Sequence, residues 1–176
     1  MSLVDISKLP HPDYKKVTIG DGDSIDLGNR VVEVIGAASA HCNSSLFFYD
    51  KKNAMIFVGD EFEAGQVNLF DNSNNPEAPY DVKERLDNFK KNALKIKSLR
   101  PRYIFPNHNG TPIADCYLDD FIGLVDGIYS GNSVIEDKLN HKYIEMDPKA
   151  PSLCRVRNRN ASIFIKKELL MSVYGK

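Results

Sequence analysis

A mixed α/β (α+β) fold, built on a mostly antiparallel sheet with helices packed on one face, follows from three features of the chain. The first third consists of short apolar segments broken by Asp-Gly and Gly-Asn pairs. Two later stretches carry apolar residues at intervals of three and four. Strand-like segments then return near the end, so the order is strands, helix, strand, helix, strands.

The first segments are Val17-Thr18-Ile19, Ser24-Ile25-Asp26-Leu27 and Val31 to Ile35, joined through Asp21-Gly22 and Gly28-Asn29. These turn pairs supply the positive φ that tight hairpins require, which predicts an antiparallel meander. Ser45 to Tyr49 and Ala54 to Val58 form a further strand pair, connected by Asp50-Lys51-Lys52-Asn53. The polar stretch Asp71 to Pro79, with its Asn72 to Asn75 run, reads as a loop bordering a site.

Val82, Leu86, Phe89, Ala93 and Ile96 then fall on one face of a helix, which Pro101 prevents from continuing. Tyr103-Ile104-Phe105 is a short strand. Leu118, Phe121, Ile122, Val125, Ile128 and Tyr129 define a second amphipathic helix, with Asp115 as its N-cap and Gly131 past its end. Strands are expected near Tyr143 to Met146, Ser152 to Val156 and Ser162 to Ile165.

With 176 residues, 42% of them apolar and 27% charged, the chain has the composition of one globular domain over residues 1–176. Lys and Arg number 23 against 24 Asp and Glu, so no net field favours nucleic acid or an anionic membrane. The longest apolar runs, such as Ala54 to Val58, fall far short of the roughly 20 residues that span a bilayer. The opening residues lack the basic and apolar regions of a secretory signal. Three widely spaced cysteines, Cys42, Cys116 and Cys154, fit neither a disulfide framework nor a zinc module made of cysteines, and point to a reducing cytoplasm.

Three metal-capable residues occupy equivalent places, just past the end of an apolar strand. His41 follows Ile35 through Gly36-Ala37-Ala38-Ser39-Ala40, Asp60 follows Val58 through Gly59, and His108 follows Phe105 through Pro106-Asn107. If these strands share a sheet, the three side chains converge at one edge, as an ion bound by His nitrogen and Asp oxygen near 2.0–2.2 Å demands. Taken singly, each has a plainer reading: a hydrogen-bonded structural histidine, or a Gly-Asp turn.

Together, and in this order, they resemble a known pattern. The run Asp21 to Ile35, then Ala38-Ser39-Ala40-His41, Met55-Ile56-Phe57-Val58-Gly59-Asp60 and Phe105-Pro106-Asn107-His108-Asn109-Gly110-Thr111-Pro112-Ile113, is similar to the second half of a metallo-β-lactamase superfamily protein. The resemblance covers roughly Val17 to Gly131 and implies a metallo-β-lactamase-like αββα sandwich. It also implies that His41 binds a first metal, Asp60 bridges two, and His108 binds the second. The family's small-Pro-Gly-His-Thr turn stands here as Ala38-Ser39-Ala40-His41-Cys42, with the register kept and Pro, Gly and Thr lost.

The family's His-x-His-x-Asp-His motif has no counterpart between Met1 and Lys16, so the chain corresponds to the C-terminal half of that fold. A complete member holds two ions, zinc or else iron or manganese, and hydrolyses an ester, thioester, amide or phosphodiester with metal-activated water. This chain alone, lacking half of the ligands, is expected to be inactive towards a small-molecule substrate. It is also expected to self-associate or to require the missing N-terminal half, because a sheet without its cover exposes apolar surface. The alternative is a non-catalytic binding or assembly module that keeps the half-fold.

Other features have simpler readings. Asp21-Gly22-Asp23-Ser24-Ile25 starts like a calcium loop, but Ile25 stands where an oxygen ligand is needed, which leaves a hairpin turn. Cys42, Cys116 and Cys154 read as packing residues, and His11 and His141 as exposed ones. Arg155, Arg157 and Arg159 alternate on one strand face, which suits contact with phosphate or nucleic acid but reads better as an edge strand protected by charge. Lys90, Lys91, Lys95 and Lys97 mark the solvated, basic end of the first helix.

Overall fold

Two glycines with positive φ, Gly22 at +87° and Gly28 at +85°, bracket the first strand. The computed structural model describes residues 17–41, 45–62, 66–69, 81–107, 111–136 and 153–176. Strand β1 (Ser24–Asp26) turns at Gly28 into β2 (Val31–Gly36), pairing antiparallel with Ile25 opposite Val32. Before β1 the chain does not form the strand expected at Val17 to Ile19. The carboxylates ahead of β1 serve the backbone instead: Gly20 N–H donates to Asp23 Oδ2 at 2.7 Å and Gly36 N–H to Asp21 Oδ1 at 2.6 Å. Both carboxylates of the calcium-like run are thus acceptors for backbone N–H groups, Asp23 within its own turn and Asp21 at the end of β2.

Strand β3 (Leu46–Asp50) pairs antiparallel with β2 and with β4 (Met55–Gly59). The β3–β4 turn is fixed by Asp50, 1% exposed, whose carboxylate accepts from Asn53 N–H at 3.2 Å and Asn53 Nδ2 at 2.7 Å. After β5 (Gln66–Leu69), which joins another sheet, the chain crosses through helix α1 (Val82–Leu99) to strand β6 (Tyr103–Pro106). Strand β6 lies parallel to β4 with Ile56 opposite Ile104. The five-stranded sheet has the order β1-β2-β3-β4-β6.

Helix α1 begins at Asp81, whose carboxylate caps Lys83 N–H at 2.8 Å and Glu84 N–H at 3.2 Å. It ends at Arg100 in the left-handed region, φ +51°, just before Pro101. Helix α2 (Cys116–Ser130) closes on Gly131, φ +72°, as its sequence predicts. Its start differs. Asp115 has helical dihedrals and makes no capping bond; the first turn is closed by Tyr117 N–H to Ala114 O at 3.1 Å and Leu118 N–H to Asp115 O at 3.0 Å. Cys116 opens the helix ahead of the apolar stripe and is exposed rather than packed, whereas Cys154 is buried.

The second sheet has the order β5-β9-β8-β7, where β5 is joined by β7 (Val134–Glu136), β8 (Leu153–Asn158) and β9 (Ala161–Lys166), with a short helix α3 (Lys167–Val173) directly after β9. Antiparallel pairings dominate; only β4–β6 and β5–β9 are parallel among the described residues. Strand β8 lies between β9 and β7, so the arginines do not guard an edge. Arg155 and Arg157 both pair with Glu136 of β7, and Arg159, in the turn after β8, lies 3.8 Å from Asp120. The strand expected near Tyr143 to Met146, together with Asn72 to Asn75, His11, Cys42 and His141, lies outside the described residues.

One continuous apolar core joins the inner face of the five-stranded sheet (Phe47, Ile56, Ile104), the two long helices and the second sheet (Val156, Ile163, Ile165). At its centre Phe62, Phe89 and Phe121 meet with ring centroids 5.0–5.3 Å apart. The helices are further tied by the ion pairs Lys90–Asp126 and Lys97–Asp119, which occupy part of the basic face of α1. No helix among the described residues is long and apolar enough to cross a membrane.

Candidate metal site

Because β3 is antiparallel to both β2 and β4, and β6 is parallel to β4, strands β2, β4 and β6 run in one direction. Their C-terminal ends therefore lie along one edge of one sheet, the condition for convergence of the three strand-end residues. At the end of β4, Gly59 takes φ +61°, and the register against β6 shifts between Phe57 and Gly59. Asn107 N–H donates to Gly59 O at 2.9 Å, so the β6 exit lies beside the β4 exit. His108, the next residue, lies outside the described residues.

The other two are brought together. His41 Nε2 and Asp60 Oδ2 are 3.6 Å apart, with side chains 38% and 30% exposed. That separation exceeds an ordinary N–H···O hydrogen bond. It matches two donors on a single cation: with bonds near 2.0–2.2 Å and a tetrahedral angle, their separation is about 3.4 Å. An imidazole nitrogen and a carboxylate oxygen are both suitable zinc, iron or manganese donors, so the pair fits such an ion. Among the described residues no third His, Cys, Asp or Glu joins them.

The loop that carries His41 is held by polar groups with no counterpart among the residues singled out from the sequence. From α1, Arg85 Nε donates to Ala40 O at 2.9 Å and Asn88 Nδ2 to Ser39 O at 3.1 Å. Asn92 accepts from Ala38 N–H at 2.7 Å and donates to Ala38 O at 2.9 Å. Its second N–H reaches Glu61 Oε1 at 2.6 Å. Glu61, beside Asp60, is 2% exposed, and burial pushes its carboxyl up to about 7 against the opposing pull of Asn92, the His41 backbone N–H and the Arg85 guanidinium. Desolvation also draws Arg85 below the usual guanidinium range. Arg85, Asn88 and Asn92 recur at intervals of three and four along α1, and that spacing is the signal the sequence offers: polar residues bordering the apolar stripe of an otherwise amphipathic helix.

No family model matches the sequence, and a search of curated proteins gives no match. Solved structures similar in fold include a metallo-β-lactamase family protein from Thermus thermophilus, at 15% identity and a TM-score of 0.48, over 68% of this chain and 38% of that one. A metallo-β-lactamase from Pontibacter korlensis aligns at 17% identity and a TM-score of 0.46, over 62% of this chain and 47% of that one. The rubredoxin oxygen:oxidoreductase of Desulfovibrio gigas aligns at 16% identity and a TM-score of 0.42, over 64% of this chain and 33% of that one. The chain resembles metallo-β-lactamase-like proteins in fold. It spans less than half the length of each of these three structures.

Proposed function

We propose that this chain carries part of a metal-dependent hydrolytic site, with His41 and Asp60 as ligands and His108 as a third, zinc as the first choice of metal, and iron or manganese as alternatives. The observation that supports this reading is the 3.6 Å approach of His41 Nε2 to Asp60 Oδ2 at the shared edge of β2, β4 and β6. Bound there, such a metal supplies a water acidified towards neutrality and polarises the bond attacked. The residues of the chain hold and orient: His41 offers an imidazole nitrogen, Asp60 a carboxylate, and Gly59 the turn that precedes it. Both ligands are partly open to solvent, so a small-molecule ester, thioester, amide or phosphodiester can approach them. Turnover is expected to need the further ligands that the family's His-x-His-x-Asp-His motif supplies.

The test is the metal content of the chain, purified without chelator, by elemental mass spectrometry. About one equivalent of metal is expected, reduced about 10-fold or more in His41→Ala and Asp60→Ala, each of which removes a direct ligand. Metal content near zero would overturn the reading and leave a binding or assembly module.

A further inference from the structure

We propose that Asn92 is a positioning residue for the His41–Asp60 pair, its carboxamide clasping the Ala38 peptide and joining it to Glu61. The inference takes its functional meaning from the metal reading of that pair. Its grounds are geometric. Asn92 is fully buried, yet each of its hydrogen-bonding groups is used: Oδ1 accepts from Ala38 N–H, and the two Nδ2 protons go to Ala38 O and Glu61 Oε1. A buried carboxamide is costly unless bonded in this way.

The loop needs such an anchor. Ala40 is buried in the core and Ala37 packs against it, but the side chains of Ala38 and Ser39 between them are too small to hold the loop by packing alone. The peptides supply the further hold, and α1 grips three in succession, at Ala38, Ser39 and Ala40, immediately before His41. On the other side Glu61 adjoins Asp60 at the exit of β4. The Asn92 carboxamide bonds to both segments at once, beside the His41 backbone N–H that Glu61 also accepts, so it helps to set the distance between the loop bearing the imidazole and the turn bearing the carboxylate. Outer-shell groups of this kind orient metal ligands, and their loss typically lowers metal affinity about 10- to 100-fold.

The experiment compares Asn92→Ala with Leu124→Ala, which removes a buried side chain from α2 and serves as the control for general destabilisation. The metal-free readout is the NMR signal of the His41 ring, assigned by its loss in His41→Ala. In the parent chain Asp60→Asn is expected to shift this signal, because the two side chains lie 3.6 Å apart; in Asn92→Ala that response is expected to be lost, and in Leu124→Ala to persist. The second readout is cobalt affinity by competition with a chromophoric chelator, expected to fall about 10- to 100-fold in Asn92→Ala and to change little in Leu124→Ala. A persistent ring response in Asn92→Ala, or an equal loss in Leu124→Ala, overturns the proposal. If Asn92→Ala does not fold, Asn92→Ser is read the same way. A parent chain that binds no cobalt defeats the metal reading, while the ring response still decides the role of Asn92.

Discussion

Asn92 and Glu61 meet inside the protein, the amide donating to Glu61 Oε1 at 2.6 Å while the other carboxyl oxygen, Oε2, is buried with no hydrogen-bond partner among the described residues. Burial with only one oxygen bonded favours the protonated form of this carboxyl.

A pH dependence follows. The folded carboxyl of Glu61 titrates near 7 against an ordinary value of 4.5, so between those values the folded chain holds a proton that the unfolded chain releases. The contribution of Glu61 to stability is therefore full below about 4.5 and is lost as pH rises through 7, a change of about 3 kcal/mol. Asp50 and Glu136 have carboxyls held below their ordinary values, chiefly by hydrogen bonds from Asn53 and Arg157 respectively, and act in the opposite sense and lower down: their stabilisation disappears as pH falls through the carboxylate range. Urea unfolding of the chelator-treated chain at several pH values is expected to show the loss towards pH 7, and Glu61→Gln to abolish it.

Phe121 tests the core. It is fully buried between Phe62 and Phe89, so Phe121→Ala removes the ring on which both others pack. The expected cost is about 3–5 kcal/mol in chemical unfolding. A cost below about 1 kcal/mol would mean that the aromatic centre does not pack as described.

Gly59→Ala separates strain from crowding. The nearest atom to an added Cβ is Asn107 Nδ2 at 3.9 Å, so space is not limiting, but φ of +61° is. A loss of about 1–2 kcal/mol in unfolding free energy is expected, together with weaker metal uptake because the same backbone aims Asp60.

Glu136 pairs with two arginines of the neighbouring strand, accepting hydrogen bonds from Arg155 Nε at 2.7 Å and Arg157 Nη1 at 3.0 Å. The parent chain is expected to pass through a heparin column at moderate salt, and Glu136→Gln to be retained to a higher salt concentration. Equal elution would show that this carboxylate does not mask the arginine face.

Much of the fold is readable from the residues. The 4-3-4-3 spacing from Val82 to Ile96 and the stop at Pro101 locate α1 because a one-sided apolar stripe and a missing N–H act locally. The same is true of the hairpin at Gly28 and of the strands leading to His41 and Asp60. What escapes is non-local or very short. β5 is defined by its parallel pairing with β9, distant in the chain, and β7 has three residues. α3 follows β9 with no Gly or Pro between them to mark the change. Asp115 reads as a cap because its side-chain chemistry suits the position, while the backbone there is already helical. The Glu61–Asn92 contact escapes because its partners lie 31 residues apart, one in the turn after β4 and the other on α1, and nothing local to either marks the other.

The parallel pairing of β4 with β6 also sets an order of assembly. Phe48 reaches Phe57 through a tight turn, whereas Met55 reaches Tyr103 only after the whole of α1 has been laid down between them. Closing the longer segment carries the greater entropic cost, so the β3–β4 hairpin is expected to form first and β6 to dock afterwards. Pulse-labelled hydrogen exchange during refolding should protect the amides of β3 and β4 ahead of those of β6. On that order the sheet edge carrying the candidate ligands is completed by the β4–β6 pairing, and metal added during refolding is expected to bind fully only after that step.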